Sequence, residues 1–335
     1  MTTRYPQLLR ALGEPGWWRP LLGLLFAALT LTAGAVAVVL AAVVVAAVLD
    51  GSTGDAAVED ALSPDGPLGL LANNLVIAVM IPAAALAAYV VHRAPVGALA
   101  SVTLRPRWGL MGRLFLVALL LVVVSFAASF VLPGEGTGEV DVPAAGTLVG
   151  LLAVILLTTP LQAAAEEVGF RGYVTQAVAS WSARPVVGTL VAGGVSGLLF
   201  ALAHGTQDAA LFGDRLAFGL TMSWLAWRTG GLEAPIALHA ANNMVSLAFT
   251  AATGSLEESL TASTLAWSYA LLDVAMMVTF AAAVHLLADR WGVAAVRPVA
   301  ARDVGALSGP GEVGYPGPRP PAPPPAGGDN PWGMG

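Results

Sequence analysis

The chain has 335 residues, of which 57% are hydrophobic and only 11% charged, and its mean hydropathy is +0.76. Soluble domains carry about 25% charged residues, so this composition specifies a membrane protein. The net charge of −6 comes with fifteen basic residues, all arginine, and no basic face for nucleic acid. The absence of cysteine excludes a disulfide framework, a thiol nucleophile and a thiolate metal site.

Residues 1–20 hold Arg4, Arg10 and Arg19 with Trp17 and Trp18, a basic and aromatic approach to a bilayer. The apolar run 21–49 is too long for a signal-peptide core of ~7–15 residues and reads as an uncleaved first span. A loop with Asp50, Asp55, Glu59, Asp60 and Asp65 precedes a second span at 67–91, interrupted by Asn73-Asn74 and by Pro82. His92, Arg93, Arg105 and Arg107 lead to a third span at 110–132, and Glu135, Glu139 and Asp141 mark another acidic loop. The fourth stretch, 144–181, has about 37 residues at 1.5 Å rise, more than one crossing needs, so it must protrude, tilt or kink near Pro160. A fifth run at 185–203 holds Gly193, Gly194 and Gly197, which permit close helix contact. Spans at 209–227, 234–252 and 265–287 follow, the last two separated by Glu257 and Glu258. Arginines alternate with acidic loops so that the positive-inside rule puts both termini in the cytoplasm of a cell membrane, with Arg215 the exception. The expected fold is all-α, a polytopic transmembrane bundle of about eight spans. Its divisions are 1–143 with helices one to three, 144–253 with four to seven, 254–296 with helix eight, and a disordered Pro/Gly-rich tail over 297–335.

Three short motifs could carry chemistry. Glu166-Glu167-Val-Gly-Phe-Arg171 places Glu167 and Arg171 on one helix face, where they can pair. Glu166 lies about 100° round the helix, away from that arginine. Phe200-Ala-Leu-Ala-His204 and His239-Ala-Ala-Asn-Asn243 each share a face in the same way. His92 and His285 lie near predicted cytoplasmic ends and read as interfacial residues. Ionisable residues inside a bilayer cost several kcal/mol each and mark function by default. Singly, a histidine or an asparagine pair in a span suits packing between helices. Together they supply a general base, proton-transfer partners and oxyanion donors for attack on an amide. Glu166, His204, His239 and Asn243 are equally a candidate zinc set, since all three residue types can ligate that metal. One tension is geometric. His204 lies ~27 Å up the fifth span and His239 only ~8 Å up the seventh, so a common site needs the fifth span tilted or begun later.

These motifs, in this order on successive apolar segments over 145–248, resemble the type II CAAX prenyl endopeptidase family. These are the CPBP intramembrane proteases, which include bacteriocin-immunity relatives. The resemblance implies a helical bundle with a peptidase site inside the membrane and a water-filled cavity around the motifs. It implies that Glu166 activates the hydrolytic water with help from His204, that His239 and Asn243 hold the oxyanion, and that Glu167 and Arg171 order the site. A metal-dependent and a metal-free glutamate mechanism both stay open, and the His-Glu-x-x-His of soluble zincins is absent. The expected function is therefore intramembrane cleavage of peptide or protein substrates in or at the bilayer. The alternatives are a non-catalytic immunity or scaffold protein of the same fold and, last, a proton-relaying transporter, for which no internal repeat is found.

Overall fold

A computed structural model describes residues 2–51, 53–63, 65–132 and 140–298. Strand β1 (Thr2–Arg4) and the short helix α1 (Leu8–Leu12) precede a 32-residue helix, α2 (Arg19–Asp50). Then come α3 (Asp55–Leu62), α4 (Pro67–Ala78) and α5 (Met80–Leu86), the last running into a π-helical turn, Ala87–Val91. α6 (Trp108–Ser129) is followed by α7 (Ala145–Glu167), a π-helical segment Val168–Val174 and α8 (Thr175–Ala179). The remaining elements are α9 (Pro185–Leu202), α10 (Ala209–Thr229), α11 (Glu233–Thr253), α12 (Leu256–Thr261), α13 (Trp267–Arg290) and β2 (Val296–Pro298).

Among the described residues, six segments are long and apolar enough to cross a membrane: Arg19–Leu49, Pro67–Val91, Trp108–Ser129, Ala145–Ala179, Pro185–Leu202 and Trp267–Arg290. The expected sixth and seventh spans are the 21-residue helices α10 and α11. They fall short on apolarity because they carry Asp214, Arg215 and Arg228, and Glu233, His239 and Asn243. α2 is apolar on every side and its surface is largely uncovered by protein, as a helix facing lipid should be.

α11 is the axis of the bundle. It packs against α6 and α7, while α10 lies along α9 and α13. The largest core joins Leu114, Val122, Phe200, Phe218, Leu238 and Phe280 from five of these helices. At the α9–α10 crossing a Cβ on Gly219 would stand 2.7 Å from the Cα of Gly197, so this contact needs glycine on both sides. Gly194, one turn away, faces open space, so the glycine run 193–197 serves close packing only in part.

Several expectations are corrected. The second span breaks at Val79, not at the asparagines, and Pro82 falls in the first turn of α5, where no backbone donor is needed. Asn74 is buried and bonds Thr158 Oγ1 at 2.9 Å and Thr159 Oγ1 at 3.3 Å. The fourth span holds Pro160 without ending, and its irregularity comes later, at Val168–Val174. Residues 2–12 are a packed floor rather than an open approach: Tyr5, Leu8 and Leu9 are buried, and Tyr5 Oη donates to the Leu99 carbonyl at 2.5 Å. His92 is not interfacial but 3% exposed, with Nε2 3.1 Å from Tyr173 Oη. Arg297 and Pro298, placed by sequence in the tail, pair antiparallel with Thr3 and Thr2. The rest of the tail, 299–335, and the acidic residues Glu135 and Glu139 lie outside the described residues.

Candidate active site

The three motifs are delivered by separate elements. Glu166 and Glu167 end α7, Arg171 lies in the π-helical segment, His239 and Asn243 belong to α11, and His204 stands just past α9. π-helical turns occur frequently at functional sites, because the wider turn re-aims the side chains that follow it. Here Gly172 packs beside the Leu99 carbonyl, 3.4 Å from where a Cβ would be, an ordinary contact distance. Phe170 leaves its carbonyl to accept Ser196 Oγ at 2.9 Å, which locks α9 against the segment.

Glu167 is fully buried and its Oε1 serves two partners. Arg171 Nη1 donates to it at 3.0 Å, and His239 donates from Nδ1 at 2.8 Å. With Nδ1 so committed, His239 turns Nε2 toward Glu166 Oε2, 3.5 Å away. Oε1 of Glu166 accepts from Gln162 Nε2 at 2.7 Å, and Gln162 Oε1 accepts from Asn243 Nδ2 at 3.2 Å. The pattern is that of a base oriented by a carboxylate behind it, here with a second carboxylate in front. Glu166 Oε2 is buried and lacks a hydrogen-bond partner among the described residues, which leaves its lone pairs open to a small molecule at the site.

The Arg171 guanidinium is fully buried, lies 4.3 Å above the Phe200 ring and forms an ion pair with Glu167. The ring thereby replaces part of the hydration that a buried cation loses. Phe200 also contacts both imidazoles edge-on, with ring centroids 4.6 Å from His204 and 6.0 Å from His239, while Phe218 covers the other side of His239 at 5.0 Å. His204 itself is exposed. It folds back down the last turn of α9, donating from Nδ1 to the Phe200 carbonyl at 2.8 Å, and lies within electrostatic reach of Glu166 and His239.

The predicted height mismatch does not separate the motifs, since the Phe200 ring reaches both His204 and His239. The start of α11 is fixed by Arg107, which clamps the buried Glu233 through Nε at 2.9 Å and Nη2 at 2.6 Å. Gln162 is the residue that sequence reasoning left without a role. Its signal was present, four residues before Glu166 on the same face. The positioning parts played by Phe200 and Ser196 depend on how α9 crosses the π-helical segment, and no local pattern encodes that.

The Nδ1 contacts of His239 and His204 leave each Nε2 open, as a metal-bound imidazole requires, while Gln162 joins Asn243 to Glu166. Among the described residues no three His, Asp or Glu are grouped to hold a metal ion. For want of a grouped third ligand, the described residues as arranged do not fit zinc.

Residues 148–245 match the family model of the Rce1-like type II CAAX prenyl endopeptidases. The chain carries an Rce1-like domain. This domain runs from α7 to the middle of α11 and so contains every residue of the cluster just described. The chain is also similar to an uncharacterized protein, YyaK, of Bacillus subtilis (strain 168), at 28% identity over 189 residues. That match covers 56% of this chain and 63% of the relative, so the chain spans less than two thirds of the relative's length. No solved structure matches the chain. The Rce1-like domain and the apolar helices together make this a multi-pass membrane protein with a CAAX-protease-type fold.

Proposed function

We propose that the protein is an intramembrane endopeptidase that hydrolyses peptide bonds of membrane-associated substrates by a glutamate-activated water. One observation carries the reading: the buried relay Arg171–Glu167–His239–Glu166, drawn from two separate motifs, ends on a carboxylate oxygen with no hydrogen-bond partner. In this mechanism Glu166 Oε2 takes a proton from water as the water oxygen bonds to the substrate carbonyl carbon. The proton moves to His239 Nε2, 3.5 Å away, and the imidazolium is stabilised by Glu167 behind it. His239 Nε2–H and the second Asn243 amide hydrogen then face the oxyanion. The C–N bond breaks and the leaving nitrogen takes a proton from His239. His204, at the exposed edge, assists Glu166 in holding the water. Glu167 and Arg171 act through His239 as positioning residues.

The test is cleavage of a fluorogenic membrane-peptide reporter by the purified full chain in lipid. Glu166→Ala and His204→Ala are each expected to lower cleavage by at least about a hundredfold while thermal unfolding stays cooperative. Cleavage retained by either folded variant would refute the mechanism. A biological effect that survives Glu166→Ala would favour a non-catalytic immunity or scaffold role. A chelator is expected to leave the rate unchanged, and its abolition by chelation with recovery on added zinc would replace this account with a metal-dependent one.

A further inference from the structure

A cavity of about 730 Å³ lies across α9 from the candidate active site, and none of Glu166, Glu167, Arg171, His204, His239 and Asn243 lines it. Its lower end belongs to the floor: Arg4, Gln7 and Arg10 stand there with Thr2 and Thr3, and no carboxylate is among the lining residues. Arg4 is held with its guanidinium 4.4 Å above the Trp227 ring, and Arg10 donates from Nη1 to the Ser180 carbonyl at 2.8 Å. Gln7 is 3% exposed, yet its side-chain nitrogen has no hydrogen-bond partner. A buried amide donor left open in this way is unfavourable, and a ligand oxygen would satisfy it. The upper end is apolar. Val186, Leu190 and Gly194 of α9 face Leu220 and Trp224 of α10, and the valine and both leucines are exposed on the bundle surface. Gly194 leaves the slot open, since no atom lies within 4 Å of a Cβ placed there.

We infer that this cavity is a binding site for one anionic phospholipid. Its phosphate is held by Arg4, Arg10 and the Gln7 amide, and one acyl chain lies in the α9–α10 slot. Three features select this occupant over a soluble anion or a neutral lipid. The charges sit at one end only, at the level of the arginine-bearing floor where headgroups lie, and they are all positive. The apolar half runs along a helix pair whose outer surface is uncovered by protein, so a chain can enter sideways from the bilayer. The open donor on Gln7 needs an acceptor, which a phosphate oxygen supplies and a choline group does not. The site is independent of the peptidase reading.

The test uses the full chain in detergent, titrated with phosphatidylglycerol, phosphatidylcholine, glycerol phosphate and inorganic phosphate. Bound lipid is counted by intact-complex mass spectrometry and stabilisation is followed by thermal unfolding. One phosphatidylglycerol per chain is expected, bound about tenfold or more tighter than phosphatidylcholine, with no shift from either soluble phosphate. Arg4→Gln should weaken phosphatidylglycerol about fivefold, the worth of one arginine at an anionic surface. Gly194→Leu places a side chain in the open slot and should abolish binding while the apo protein unfolds at its normal temperature. Equal affinity for the two lipids, wild-type binding by both variants, or equal stabilisation by glycerol phosphate would each overturn the proposal.

Discussion

Glu167 Oε1 accepts from an arginine and a histidine at once, and this shared atom decides how single substitutions behave. Removing one partner of a buried ion pair costs about 3–5 kcal/mol, because the other charge is left in a place it cannot be hydrated. Arg171→Met is therefore expected to lower the unfolding free energy by about that amount, measured by denaturant titration in mixed micelles. Glu167→Gln keeps the volume and an acceptor, so it should cost less stability yet change the pH dependence of cleavage through His239. Gln162→Leu has a different signature. It cuts both links between Glu166 and Asn243, and it should lower kcat by about a hundredfold with KM and stability little changed. The pair Glu167–Arg171 could be read from the sequence, because four residues on a helix is a local geometry. The sharing of Glu167 with His239 could not, because it depends on how α11 is rotated against α7.

Helix packing sets where the imidazoles stand. Gly197 and Gly219 bring α9 and α10 into backbone contact, and Phe200 follows less than one turn beyond. Gly219→Val would push the helices apart at an overpacking cost of about 1–3 kcal/mol. It should also reduce cleavage, since Phe200 touches Arg171, His204 and His239 together. Comparing the reporter rate of Gly219→Val with that of Gly194→Leu separates a disturbed crossing from a bulkier surface, because position 194 is open. Most long helices were legible from their apolar runs, within a few residues at the ends. What was not legible was the phase of the backbone inside them. Neither proline nor asparagine marks the break at Val79 or the π-helical segment after Glu167. α10 and α11 were legible as helices for the opposite reason: their polar residues kept helical spacing while lowering apolarity.

At the scale of the whole molecule, the floor ties distant segments together through His92. Its carbonyl accepts from Glu14 N at 2.9 Å, its ring faces Tyr173, and Arg19 bonds the preceding carbonyl of Val91. Burial, and then the Arg19 guanidinium, push this imidazole down from 6.5 to about 4. The folded form thus binds its proton less readily than the unfolded chain. The His92 contribution to stability is complete above pH 6.5 and is lost as pH falls from there toward 4. Thermal midpoints recorded across that window should decline, and His92→Gln should flatten the decline. The β1–β2 pairing carries a consequence of another kind. Thr2 and Pro298 are ladder neighbours, so both strands lie on one side of the bilayer. Whatever becomes of α10 and α11, the number of crossings between those residues is even. Reporter fusions at residue 2 and residue 298 must give the same compartment, and a split pair of fluorescent fragments attached there should reassemble within a single chain.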